Sequence, residues 1–297
     1  MVQVAERVGV GSPLPPTPAR FVARAGLNRA LWRTFLGFVF LALFGPLVIL
    51  LLFSFNDSNI LSFPMEGLTL NWYTAAWHDT LLRHSLLNSF GVAFAVAPFC
   101  VVLGTLAAFG LTRFRFGGRG AIGGLVGAPL ILPWLVIGIA ALMAYARLDV
   151  ALNLRTVVAT QTICTFPLVT AIVSAQLFRF QKVQEEAAID LGCSRMQVLR
   201  HIILPHIAPA LAAAAIFAFT WSFNNFEISF FTIGFQQTFP IWVYSSVRNP
   251  DHTAVVNAIS VVISAVQVGL ITVAVRLLRG GGGSEVTGVI ASNAAGT

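Results

Sequence analysis

Apolar residues along this chain gather into six long blocks separated by short polar ones: 35–54, 86–111, 121–146, 156–178, 210–231 and 253–278. Each block is close to the ~20 residues a helix needs to cross ~30 Å of hydrocarbon. The pattern predicts an all-α polytopic membrane protein with six transmembrane helices. Pro129 and Pro133 interrupt the third block and Pro167 the fourth. Broken helices there must find other partners for the carbonyls that proline frees, as spans lining a cavity or an interface do. Outside the blocks, residues 1–34 are polar, rich in arginine and contain GSPLPPTPAR. Such a stretch packs no core and is expected to be a flexible, uncleaved tail. The glycine-rich residues 279–297, RGGGGSEVTGVIASNAAGT, are expected to be disordered for the same reason. The membrane domain is then 35–278.

Composition agrees with the blocks. The chain is 57 % hydrophobic and 10 % charged, against roughly 25 % charge in soluble domains. Its net charge of +7 does not point to nucleic acid, because the basic residues are scattered through short loops without interleaved aromatics. Topology explains them. Fourteen of the 18 Lys and Arg fall on one side of the six spans, in 1–34, at Arg113, Arg115 and Arg119, in the 179–209 loop, and at Arg276 and Arg279. The other side holds Arg83, Arg147, Arg155 and Arg248. This asymmetry predicts a multi-pass protein of the cell (inner or plasma) membrane with both termini and the 179–209 loop in the cytoplasm.

That loop carries EAAIDLGCSRMQVLRHIILP at 186–205, a charged island in an apolar chain. It reads as two short helices set at an angle, with Gly192 making the turn and Pro205 keeping a clean helix from running on. Glu186, Ala187, Ala188, Gly192, Ile202, Leu204 and Pro205 match each defining position of the EAA loop of ABC importer permeases. The chain resembles that family. The resemblance implies the type I ABC importer permease fold and a cytoplasmic coupling loop, with Asp190 and Arg195 beside the motif. In that family the first part of the loop is the coupling helix that sits in a cleft of the ATPase. The implied partners are a second homologous permease subunit, an ATP-binding subunit dimer, an extracytoplasmic solute-binding protein and membrane lipid. No cofactor is implied on this chain, since ATP and Mg belong to the ATPase. The plainer reading of the same residues is an amphipathic surface hairpin.

SFNDS at 54–58, FPMEGLTLNWY at 63–73 and TFPIWVYSSVRNPDHTAVVN at 238–257 are similar to the corresponding segments of polyamine (spermidine/putrescine)-type permeases, and the likeness extends over about 40–278. Two departures bear on the cargo. Asn224 and Asn225 stand where many relatives carry acids, and Trp134 where an acid often follows the proline of the third span. Fewer counter-ions make a buried polycation costlier, which weakens the inference to a polyamine, and a monocation, an amino acid derivative or a zwitterion fits equally well. In the first outer segment, Trp72, Tyr73 and Trp77 have the character of an interfacial belt.

The fifth block ends in TWSFNNFEISFF. On an unbroken helix Thr220, Asn224 and Glu227 share one face, with Trp221 and Asn225 beside it. A carboxylate is expensive against lipid and belongs against protein or water, so these five residues are the candidate translocation path. A helix-packing role for Glu227 is equally compatible with the pattern. The alternative function is a secondary, ion-coupled transporter using Glu227 as its coupling group, which usually carries more intramembrane ionisable groups than the one or two here; a third option is a scaffold whose loop recruits a cytosolic partner.

No catalytic or metal-binding constellation is present in the sequence. It contains no G-x-x-x-x-G-K-[ST] loop, so ATP hydrolysis is expected of a separate partner. Gly117, Gly118 and Gly120 with their arginines read as a turn between spans. His201 and His206 lack a third ligand, and Cys100, Cys164 and Cys193 form no C-x-x-C.

Overall fold

The computed structural model describes residues 19–58, 65, 67–249 and 252–294, with side chains described between 31 and 277. Most of the expected N-terminal tail lies outside the described residues. Its last part departs from expectation, because helix α1 (Ala19–Phe53) already begins at Ala19. The segment ARFVARAGLNRALWRT is dominated by good helix formers, and extending an existing helix needs no new nucleus. Within α1, Leu31–Phe53 is long and apolar enough to cross a membrane. Residues through Leu52 form one compact unit and Phe53 onward a second.

The second unit is built on three packed helices. Helices α3 (Thr80–Arg113) and α6 (Leu154–Arg179) lie against each other, α9 (Leu204–Phe223) packs on both, and α12 (Thr253–Ala294) packs on α9. Val96, Cys100, Val169, Val173, Leu177 and Ile207 fill the contact. Gly104 makes it close, since a Cβ there would lie 2.7 Å from Cβ of Val169. The buried face of α6 is partly polar, and two of its hydroxyls are satisfied within the helix: Thr160 donates to the Thr156 carbonyl at 2.9 Å and Thr170 to that of Phe166 at 3.0 Å. Pro167 sits inside this face, yet α6 runs through it without a break. The expected interruption is absent because packing by α3 and α9 holds the helix across the lost hydrogen bond.

The third block is broken as its prolines predict. Helix α4 (Arg119–Gly127), a 3-10 turn at Ala128–Leu130, and α5 (Trp134–Arg147) form two half-helices bent by 100°. The described residues thus hold five helices long enough to span a membrane, and six spans if the bent pair counts as one.

The fifth block differs most from expectation. A short helix, α8 (Arg195–Val198), continues through a π turn at Leu199–Ile203 directly into α9, and the candidate span is Arg195–Phe223. Pro205 therefore does not stop the helix. It occupies the second position of α9, and the widened turn, with Leu204 N–H donating to Leu199 O, makes room for a ring that would crowd an α-helical carbonyl four residues back. At the other end α9 stops at Phe223, and a separate short helix, α10 (Glu227–Thr232), follows.

Outside the bundle, α2 (Asn71–His78) and α11 (Phe239–Ser246) pack on α12 and α3. Trp72 Nε1 donates to the Asn56 carbonyl at 2.8 Å, and the Tyr73 and Ser54 hydroxyls are 2.9 Å apart. Two of the three supposed belt aromatics thus pin the first outer loop, and Trp77 alone stays largely exposed. At the C-terminus α12 continues to Ala294, whereas disorder was expected from 279. Propagation from the preceding apolar helix is the physical reason. Residues 295–297 lie outside the described ones.

Candidate functional site: the coupling loop and the broken fifth span

Helix α7 (Lys182–Asp190) carries Glu186, Ala187, Ala188 and Asp190. It ends in a Schellman cap, in which Gly192 N–H donates to Ile189 O at 2.9 Å and Cys193 N–H to Ala188 O at 3.0 Å. Gly192 has φ +91° with open space around it. The turn therefore requires glycine for its backbone conformation and not for lack of room. Ser194 then opens the second arm with a capping box. Its amide donates to Gln197 Oε1 at 2.8 Å and its hydroxyl accepts from Gln197 N–H at 3.3 Å. Ser-x-x-Gln is legible in the sequence as a helix start and was missed.

Burial separates the motif into two faces. Ala188, Val198, Ile203 and Ile207 are buried in the main core beside Phe180 and Leu177. Ile202 is half-buried, and Leu204 and Pro205 lie at the exposed edge. Glu186, Ala187, Asp190, Gly192 and Arg195 face outward. Around them Val183, Leu191 and Met196 are 67 %, 87 % and 69 % exposed, a patch of apolar side chains that the motif alone does not reveal. The loop is tied to α3 by Arg113, whose Nη2 lies 2.5 Å from Oε1 of Glu185 and whose guanidinium stands over the Phe180 ring. His201 Nδ1 is 3.1 Å from the Gln197 carbonyl, and His206 packs on Phe180 with ring centroids 4.7 Å apart.

The five candidate path residues do not share a helical face, because the helix breaks among them. Thr220 is buried in α9, and Asn225 is buried as a brace whose Oδ1 accepts from Ile228 N–H at 3.0 Å. Trp221, Asn224 and Glu227 are exposed. Trp221 meets Trp134 of α5 edge-on at 5.1 Å. Asn224 Nδ2 donates to the Thr220 carbonyl at 3.0 Å, and its Oδ1 accepts from Gln267 Nε2 at 2.9 Å. Glu227 opens α10 and has no ion pair among the described residues.

Gln161 holds the break together. This fully buried amide of α6 donates to the Ser229 hydroxyl at 2.9 Å and accepts from the Ser222 hydroxyl at 2.5 Å, bridging the end of α9 to α10. Ser229 in turn donates to the Asn225 carbonyl at 2.7 Å. Neither Gln161 nor Gln267 was singled out from the sequence. The available signal was an amide side chain inside an apolar span, where such groups tend to bond another helix.

Residues 100–279 match the Binding-protein-dependent transport system inner membrane component family. The chain belongs to that family. It is 32 % identical over 246 residues to the Putrescine transport system permease protein PotI of Escherichia coli strain K12, covering 78 % of this chain and 86 % of that protein. It is 27 % identical to the Spermidine/putrescine transport system permease protein PotC of Haemophilus influenzae, covering 82 % and 95 %. Among solved structures, a bacterial ABC transporter involved in the import of the acidic polysaccharide alginate superposes with a TM-score of 0.67, at 13 % identity, over 88 % of this chain and 97 % of that one. The fold is accordingly that of type I ABC importer permeases. The chain is a non-catalytic, multi-pass permease component of binding-protein-dependent transport, and ATP hydrolysis is the task of a separate subunit. Nothing in these relationships supports the ion-coupled carrier reading.

Proposed function

We propose that this chain is one half of a permease pair that carries a small organic cation of the putrescine and spermidine class, and that the 179–209 loop is its cytoplasmic receiver of ATPase work. The observation that carries this reading is a continuous rod. Arg195–Phe223 runs 29 residues, about 44 Å at 1.5 Å per residue, from the Gly192 turn to the break beside Asn224 and Glu227. Force applied to α8 is delivered to that break along one helical rod, and α7 joins the rod through the capped Gly192 turn. The exposed Val183, Leu191 and Met196 around Ala187 suit a partner cleft, and the Arg113–Glu185 contact holds the loop to α3.

At the break, the Trp134–Trp221 edge contact and the unpaired Glu227 offer the two groups that recognise an organic ammonium, an aromatic surface and a carboxylate. The names of the relatives support the same class of cargo. The partners in this reading are a second homologous permease subunit, an ATP-binding subunit dimer, an extracytoplasmic solute-binding protein and membrane lipid. The arginine distribution places both termini with the loop in the cytoplasm.

The test is uptake of labelled putrescine by the complex in proteoliposomes supplied with ATP on the loop side. ATP-dependent uptake is expected, and Glu227→Gln is expected to reduce it at least tenfold while the ATPase subunit still co-purifies. Uptake driven by a proton gradient without ATP would overturn the mechanism. Normal putrescine uptake by the Glu227→Gln variant would overturn the assigned path.

A further inference from the structure

At the arginine-rich end of the bundle, α3 finishes, α4 begins, and α6 passes into α7. Between them lies a cavity of about 410 Å³ lined by Arg113, Arg115, Arg119, Lys182, Thr112 and Phe180, among others. Four cationic side chains meet here. Glu185 stands against Arg113, whereas Arg115, Arg119 and Lys182 have no ion pair among the described residues. The Arg113 side chain is 12 % exposed, and although its Nη2 is close to Glu185, neither Nε nor Nη2 has an aligned hydrogen-bond acceptor. Those two nitrogens are enclosed and Glu185 balances their charge, so Arg115, Arg119 and Lys182 are the cations left around the cavity to take an anion. Helices α4 and α7 also start at this cavity with no side chain capping either, so two positive helix ends add to the same field.

A second cavity of about 360 Å³ shares Thr112, Arg119 and Phe178 with the first and continues along Leu111, Gly120 and Gly123. Gly123 is one turn beyond Arg119 in α4, so this slot leads from the charged mouth into the apolar part of the bundle. Helix α6 has 26 residues, about 39 Å, which exceeds a hydrocarbon thickness of about 30 Å. Its end at Leu177 and Arg179 therefore reaches the headgroup layer, where the mouth lies. A free inorganic anion would use the mouth and have no need of the slot. Read from the sequence, the glycines and arginines of 113–120 are a plain turn. Folding adds Lys182 from another loop and the apolar extension.

We propose that the two cavities together bind an anionic phospholipid, its phosphate held by Arg115, Arg119 and Lys182 and an acyl chain lying along Gly120, Gly123 and Phe178. The site is separate from the path at Trp221, Asn224 and Glu227, and it touches the coupling loop through Lys182 at the start of α7.

Native mass spectrometry on the full-length chain, purified with its accompanying subunits, tests the proposal with phosphatidylglycerol, phosphatidylcholine and inorganic phosphate as probes. Phosphatidylglycerol is expected to be retained in preference to phosphatidylcholine. The double variant Arg115→Gln/Arg119→Gln is expected to weaken phosphatidylglycerol binding about 30-fold, from about fivefold for each basic residue near a lipid surface. Arg200→Gln/Arg276→Gln removes the same charge from the same side outside the cavity and should change it less than about twofold. Gly123→Leu fills the slot without altering charge, with only ordinary contact to Leu111, and should also weaken retention. The proposal is overturned if the two double variants lose lipid equally or if phosphatidylcholine binds as well. It is equally overturned if inorganic phosphate matches phosphatidylglycerol, or if the Arg115/Arg119 variant sheds a protein subunit while keeping its lipid.

Discussion

Replacing Gln161 with leucine removes a side chain that bridges α6, α9 and α10 across the break in the fifth span. Leucine has nearly the same volume, so no large cavity is left and the effect isolates the polar contacts. Two hydrogen bonds disappear, one to Ser229 at 2.9 Å and one from Ser222 at 2.5 Å. Ser229 still donates to the Asn225 carbonyl and loses only an acceptor role. Ser222 can turn to the carbonyl one turn back in α9, which recovers part of its loss. Hydrogen bonds between membrane helices are worth about 0.6 kcal/mol on average and those in soluble cores about 1. The loss is therefore about 1–2 kcal/mol, or a fall in Tm of about 2–6 °C for a domain of this size. The thermal unfolding midpoint in detergent measures it. The cycle Gln161→Leu with Ser222→Ala should show coupling of about 0.6–1.7 kcal/mol. Because the bridge holds α10 to the end of the α9 rod, uptake per ATP hydrolysed should fall while ATP hydrolysis persists. An unchanged midpoint together with additive single variants would refute the reasoning.

Three further outcomes follow from the geometry. Gly192→Ala forces a side chain into φ +91°, costing about 1–2 kcal/mol of backbone strain; it should lower uptake per ATP, and Gly192→Asn should lower it less, as measured in proteoliposomes. Glu185→Gln leaves the Arg113 guanidinium at 12 % exposure without its counter-charge; about 2 kcal/mol of stability should be lost, less than for a fully buried pair, and Arg113→Gln/Glu185→Gln should recover part of it in a thermal melt. Cys193 is half-exposed in the loop while Cys100 and Cys164 are buried, so a membrane-impermeant maleimide should label Cys193 alone, and only in inside-out vesicles. Labelling from the outer face of intact cells would reverse the proposed topology.

The alternation of apolar and polar blocks was enough to read six membrane crossings and a charged loop, because the cost of placing backbone and charge in hydrocarbon constrains any chain so strongly that composition alone reports it. The EAA spacing and the need for glycine at 192 were legible for a similar local reason. Each depends on neighbours within a few residues, and the Schellman hydrogen bonds that require the left-handed turn close within six. Tertiary packing decided the rest. Pro167 is spanned without a break because α3 and α9 grip both sides of it, whereas the third block bends 100° around Pro129 and Pro133. Pro205 is absorbed by a π turn, and the fifth span stops at Phe223, where Asn225 Oδ1 takes the Ile228 N–H and Gln161, 61 residues before Ser222, ties Ser222 to Ser229 across the break. Thr220 and Asn225 went to the interior and Trp221, Asn224 and Glu227 to the surface for that reason. Asn224 and Asn225 let the helix stop locally, and a buried partner from a distant part of the chain fixes how the two pieces are joined.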